Sequence, residues 1–303
     1  MKKYIEIYEA FQEKSIPFQL KKMSLIIRND IIKIGNNFNK EYSIDDFNFE
    51  VIINFKKGSK YPYYSNINIF DIIKNPNKKF NIIIEATDEE LDVDYAVSII
   101  IHELRHVYDI LNINGEYEML DFIKSMYIPH FRRTEFVYFI NLIYLSLEHE
   151  IIARHNMLYP LLRWINITDK KELMIIYEKT YIFDALIQLK NFDSEKFIKS
   201  FNFEKLLMFT NEFIEKVAHE HNLCEDVDEV NKFYKKWEIY FKEKSNEFLL
   251  CVDDMINTIV NDIENEIPVN EEKINFNSSY SEYIGGGARK LFDYNYKKIF
   301  KMK

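Results

Sequence analysis

The five residues His102-Glu103-Leu104-Arg105-His106 carry the most specific chemistry in the chain. On an α-helix, residues four apart point the same way, with Cβ atoms about 6 Å apart. Two imidazoles so placed can reach one ion through bonds of about 2.0–2.1 Å, the reach of a zinc site. Glu103 follows the first histidine by about 100° of helix rotation, so its carboxylate stands beside such an ion rather than on it. There it can take a proton from activated water and hand it to a leaving amine, the chemistry of metal-assisted amide hydrolysis. The pattern implies one Zn2+ per chain. With 7 His in 303 residues and Glu at roughly one position in ten, H-E-x-x-H is expected about 0.02 times by chance. The plainer alternative is a core helix whose histidines are satisfied by Glu or Tyr neighbours.

The elements around the motif are those such a site needs. Thr87-Asp88-Glu89-Glu90 fits a capping box, and from there to Leu111 no Gly or Pro interrupts the chain. Val93, Val97, Ile100, Ile101, Leu104, Val107 and Leu111 cover more than one face of the implied helix, so it is buried and its polar residues need partners. Upstream, Phe47 to Phe55 alternates with period two, the pattern of a half-buried strand. Tyr64–Phe70 and Phe80–Ala86 form two further strands. Pro17 opens an amphipathic helix over 17–37. Beyond Gly115 the pattern is helical: a short helix over 117–127, a long one from Thr134 past Arg154, then 169–190, 194–222 and 226–266, the last ended by Pro268. The fold class is α+β and predominantly helical.

An apolar strand followed by a helix bearing His102-Glu103-x-x-His106 resembles the zincin metallopeptidases over residues 17–160. The resemblance implies that His102 and His106 are zinc ligands, that Glu103 is the general acid/base, and that the strand before the helix, Phe80–Ala86, lies along a peptide substrate. The metzincin continuation is absent, because Asp109 and Asn112 stand where that subfamily has Gly and then His or Asp. Gluzincins take a Glu from a later helix, and the run Glu148-His149-Glu150-Ile151-Ile152-Ala153-Arg154-His155 matches that placement. Glu150 is the matching residue and Glu148 its competitor; His149, His155 or Asp109 could also serve, since zinc accepts N or O donors. Glu150 extends an apolar stripe of Phe136, Ile140, Ile143 and Leu147 along the long helix. Asp109, one turn beyond His106, is a candidate partner for a ligand's second N–H. Arg154, His155 and His149, along with Arg105 and the tyrosines, are candidates for stabilising an oxyanion.

Composition narrows the function classes. A net charge of −9 argues against nucleic acid as principal partner, because phosphate binders lean basic. Cys224 and Cys251, the only cysteines, have neither metal nor redox spacing. Glu6 and Glu9 break any signal-peptide core after Met1-Lys2-Lys3, and Phe136–Leu147 is too short to span a bilayer. A soluble protein is expected, cytoplasmic or, if phage-encoded, virion-associated. The bias to Ile, Asn, Lys, Phe and Tyr is one that A/T-rich genomes favour, as in many phages and low-GC bacteria. His219 and His221 lie two apart and so on different helix faces, a surface pair. Three regions are expected: a metal-binding catalytic domain over 1–165, a helical domain over 166–270, and a polar and basic tail over 271–303. Gly285–Gly287 form a hinge in that tail, and 288–303 could dock an acidic partner or another copy of the chain. The function expected is zinc-dependent hydrolysis of a peptide or protein. The rivals are a virion-associated or other structural protein that keeps the fold without turnover, and a helical interaction module whose HExxH is incidental.

Overall fold

The computed structural model describes residues 16–35, 38–44, 47–55, 63–66, 79–86, 92–112, 136–216 and 223–265. The described chain is α+β and predominantly helical. It begins with α1 (Phe18–Ile34), followed by β1 (Asn39–Ile44), β2 (Phe47–Phe55), β3 (Tyr63–Asn66), β4 (Phe80–Ala86) and α2 (Val93–Asn112). Seven helices follow among the described residues: α3 (Val137–Ser146), α4 (Glu148–Arg163), α5 (Lys170–Tyr177), α6 (Tyr181–Lys190), α7 (Ser194–Lys199), α8 (Phe203–Lys216) and α9 (Val227–Glu264). No described helix is long and apolar enough to cross a membrane.

Two compact units interleave along the chain. Among the described residues, the first takes those up to Asn112, Ile152–Ile182 and those from Leu250; the second takes Phe136 to Ile151 and Phe183 to Leu249. Residues 152–182 and the end of α9 are thus assembled with the sheet.

The first unit holds a four-stranded sheet in the order β1-β2-β4-β3. β1 and β2 are antiparallel, β2 and β4 parallel, β4 and β3 antiparallel. Period-two alternation places Phe49, Val51 and Ile53 of β2 in the core, and the register sets Val51 beside Ile82 and Ile53 beside Ile84, which are also buried. Tyr42, Phe49 and Phe80 stack across three strands at 5.5 and 5.7 Å between centroids, the kind of cross-strand pairing that fixes a sheet's register. β4 is internal: β2 pairs along its length and β3 along Ile83–Ala86. The expectation that Phe80–Ala86 itself lies along a substrate is corrected accordingly, because its peptide groups are already used there. Among the described residues the edge strands are β1 and β3. Of the strand expected over Tyr64–Phe70, β3 covers the start, and 67–70 lie outside the described residues.

α2 packs against α1 and against β3 and β4. It buries Val97, Ile100, Ile101, Leu104 and Val107 completely, each contributing about 1.5–3 kcal/mol relative to exposure. Its cap is Asp92, whose carboxylate accepts from the Tyr95 N–H at 3.0 Å; Thr87–Glu90 lie outside the described residues. Asp94 in the first turn pairs with Arg28 of α1 at 2.7 Å, and that guanidinium lies 4.4 Å over the Trp164 ring. Asp262, near the end of α9, accepts from Lys21 of α1 and Tyr159 of α4, both at 2.8 Å, and its carbonyl accepts from Arg163 at 3.0 Å.

The second unit has an aromatic core. Phe136, which caps α3, and Phe139 within it meet Phe197, Phe209, Phe213, Tyr234, Trp237 and Phe241 at centroid distances of 5.0 to 6.2 Å. Polar pairs are set among these rings. Thr210 and Tyr234 share a 2.9 Å hydrogen bond, and Asn211 both donates to and accepts from the Cys224 backbone.

The helix expected from Thr134 past Arg154 is two. Ser146 donates its hydroxyl to the Ile143 carbonyl at 2.7 Å, back-bonding that bends helices, and Leu147 turns extended with ψ 134°. Leu147 then accepts from Ile151 at 2.9 Å and so opens α4. The expected helices over 169–190 and 194–222 also divide, the first into α5 and α6, the second into α7 and α8 with 217–222 outside the described residues.

Candidate metal centre

α2 carries His102 and His106 one turn apart, both buried, with rings 4.6 Å apart at 85°. Their Nε2 atoms approach to 3.1 Å. As a plain hydrogen bond, that contact needs one ring protonated at Nε2 and the other not. As two ligands of one ion it needs nothing further: a tetrahedral centre with Zn–N bonds of the usual length holds two donors about 3.3 Å apart.

Glu150 completes the group. It sits in the opening turn of α4, is 2% exposed, and its carboxylate lies within 4.8 Å of the ligating nitrogens of both histidines. A carboxylate in a first helical turn is favoured by the backbone dipole, but burial in isolation is costly, so it must be paired or bound to a cation. Two neutral imidazoles and a carboxylate are donors that divalent ions accept. His102, His106 and Glu150 could therefore hold a metal ion. Ala153, fully buried on the next turn, keeps that stretch of α4 slim.

The other expected residues divide. Glu103, about 100° round the helix from His102, is half-buried, so it borders the cluster with access to water. Arg105 is buried, its guanidinium 5.9 Å from the Tyr108 ring. Arg154 is half-buried one turn after Glu150 on the same face, whereas His155 is buried about 140° round from Glu150 and is not in the cluster. The side chains of Asp109, Glu148 and His149 lie outside the described residues, as do His219 and His221 and the whole of 271–303.

A polar group that sequence periodicity does not single out lies one to two turns from the cluster. The Tyr181 ring meets Tyr95 edge-on at 5.3 Å, and its hydroxyl donates to Met157 Sδ at 3.0 Å. Burial raises the Tyr95 phenol to about 12, helped by Asp92 and opposed by Arg154. Burial also pushes Tyr181 well up, with Tyr95 adding to it and Arg154 and a hydrogen bond to Ser98 acting the other way. Burial likewise raises Asp92, against the N–H groups it caps. Tyr95 and Ser98 could have been found by extending the His102 face backwards along α2. Nothing local in the sequence marks Tyr181. Comparison with protein-family models, curated proteins and solved structures returns no match.

Proposed function

We propose that the chain is a zinc-dependent peptidase of the zincin type, with His102, His106 and Glu150 as ligands and Glu103 as general acid/base. The observation that carries this reading is the burial of two imidazoles and one carboxylate with their donor atoms within 4.8 Å, beside a glutamate that is half-buried. Among the described residues the cluster offers three protein donors, the complement of a catalytic zinc site, since structural sites close with four. Bound there, zinc supplies a Lewis acid for the scissile carbonyl and makes water a nucleophile near neutral pH. Glu103 accepts the proton of the attacking water and returns it to the leaving nitrogen. An extended peptide fits the edge of β3 rather than β4: β3 packs against α2 and, among the described residues, pairs on one side only, so a further strand can add to it. The substrate is a peptide or protein.

Glu103→Gln tests the assignment. The variant should hold zinc as the wild type does and lose peptide hydrolysis by orders of magnitude. Zinc bound one per chain with no cleavage of a broad peptide library by the wild type favours instead a structural protein that keeps the metal without turnover.

A further inference from the structure

We infer that Tyr181 is a positioning residue of the metal centre, locking α2 and α4 in the register that sets His102 and His106 against Glu150. The inference rests on reading that cluster as a metal site. Tyr181 opens α6 and touches both ligand-bearing helices. On α2 its ring meets Tyr95 edge-on at 5.3 Å, and its hydroxyl lies within reach of Ser98. On α4 the hydroxyl donates to Met157 Sδ, and the Arg154 charge lies close enough to act on both phenols.

The spacing gives these contacts their meaning. Tyr95 and Ser98 precede His102 by seven and four residues; Met157 and Arg154 follow Glu150 by seven and four. Steps of four and seven keep one helix face, so each contact lies in line with a ligand. The mirrored intervals are those of facing helices that run in opposite senses. Tyr181 therefore ties the two faces one to two turns from the ion. A slip of one residue moves a helix about 1.5 Å along its axis, enough to carry Glu150 out of reach of an ion held by the histidines.

Visible absorption of the Co2+-loaded full-length protein measures both affinity and ligand geometry. Tyr181→Phe removes one oxygen and should weaken Co2+ binding at least tenfold, as the loss of groups that orient ligands does, and shift the absorption bands, with far-UV circular dichroism unchanged. Met157→Leu should weaken binding less. Tyr159→Phe is the contrast: its hydroxyl, on the same helix, bonds Asp262, so its loss should lower Tm and leave Co2+ affinity as it was. A Tyr181→Phe protein that binds Co2+ like wild type overturns the inference and leaves the metal centre standing. Equal weakening in Tyr159→Phe also overturns it, because the effect is then a general loosening of α4. Wild-type protein that binds no Co2+ overturns both readings.

Discussion

Two of the described regions bury hydrogen-bonding and aromatic side chains in opposite ways. In the second unit the interior is largely rings, with polar pairs set among them, Thr210 with Tyr234 and Ser194 with Glu238. Along α2 and the opening turns of α4, titratable groups instead gather: His102, Arg105, His106, Glu150 and His155 are all buried. An isolated buried charge is too expensive to keep for stability alone. The aromatic region shows how this chain makes a core from rings; α2 and the start of α4 bury ionisable groups instead. His102, His106 and Glu150 in particular converge where a single divalent ion could answer all three.

Phe139 is fully buried, with ring neighbours on α7, α8 and α9. Phe139→Ala should cost about 3–5 kcal/mol in denaturant unfolding, the usual range for emptying a buried aromatic site. A loss below about 1 kcal/mol would mean that these rings can close over the gap and do not form a packed core.

A smaller effect sharpens the contrast from the polar side. Glu238 accepts from the Ser194 hydroxyl at 2.6 Å and the Ser194 N–H at 3.2 Å, and pairs with Lys242 at 2.6 Å and Lys235 at 3.1 Å. Burial pushes its carboxyl up, yet the hydrogen bonds from Lys242, Ser194 and Lys235 outweigh burial and hold it down at about 2. A carboxyl whose folded value is depressed adds stability above its unfolded value, about 4.5, and that contribution is lost as pH falls towards 2. Unfolding free energy measured from pH 6 to pH 2 should therefore fall less steeply in Glu238→Gln than in wild type. Identical slopes would show that the carboxylate contributes nothing through its charge.

Much of the arrangement around the site was legible in the sequence because local periodicity dictates it. Alternation marks β2, a short apolar run between turn residues marks β4, and the apolar wrap of Val97–Val107 marks a buried α2 with His102 and His106 on one face. Glu150 was reached as the third candidate partly through a stripe of Phe136, Ile140, Ile143 and Leu147. The structure brings Glu150 to the histidines, but the stripe does not carry the phase, because Leu147 is extended between α3 and α4. No Gly or Pro marks that break; a serine hydroxyl makes it. β1 was missed because Asn39–Ile44 buries only Tyr42 and Ile44, too few apolar positions to register as an alternation. The internal place of β4 follows from pairing with strands distant in sequence, and the role of Tyr181 from a contact between three helices; neither leaves a local trace.

Zinc stoichiometry of the purified protein tests most directly whether His102, His106 and Glu150 form one metal centre. Wild type should hold about one zinc per chain after dialysis, His102→Ala essentially none, and Glu150→Ala should bind at least 10–100-fold more weakly. Zinc absent from the wild type, or retained equally by all three proteins, would contradict the account.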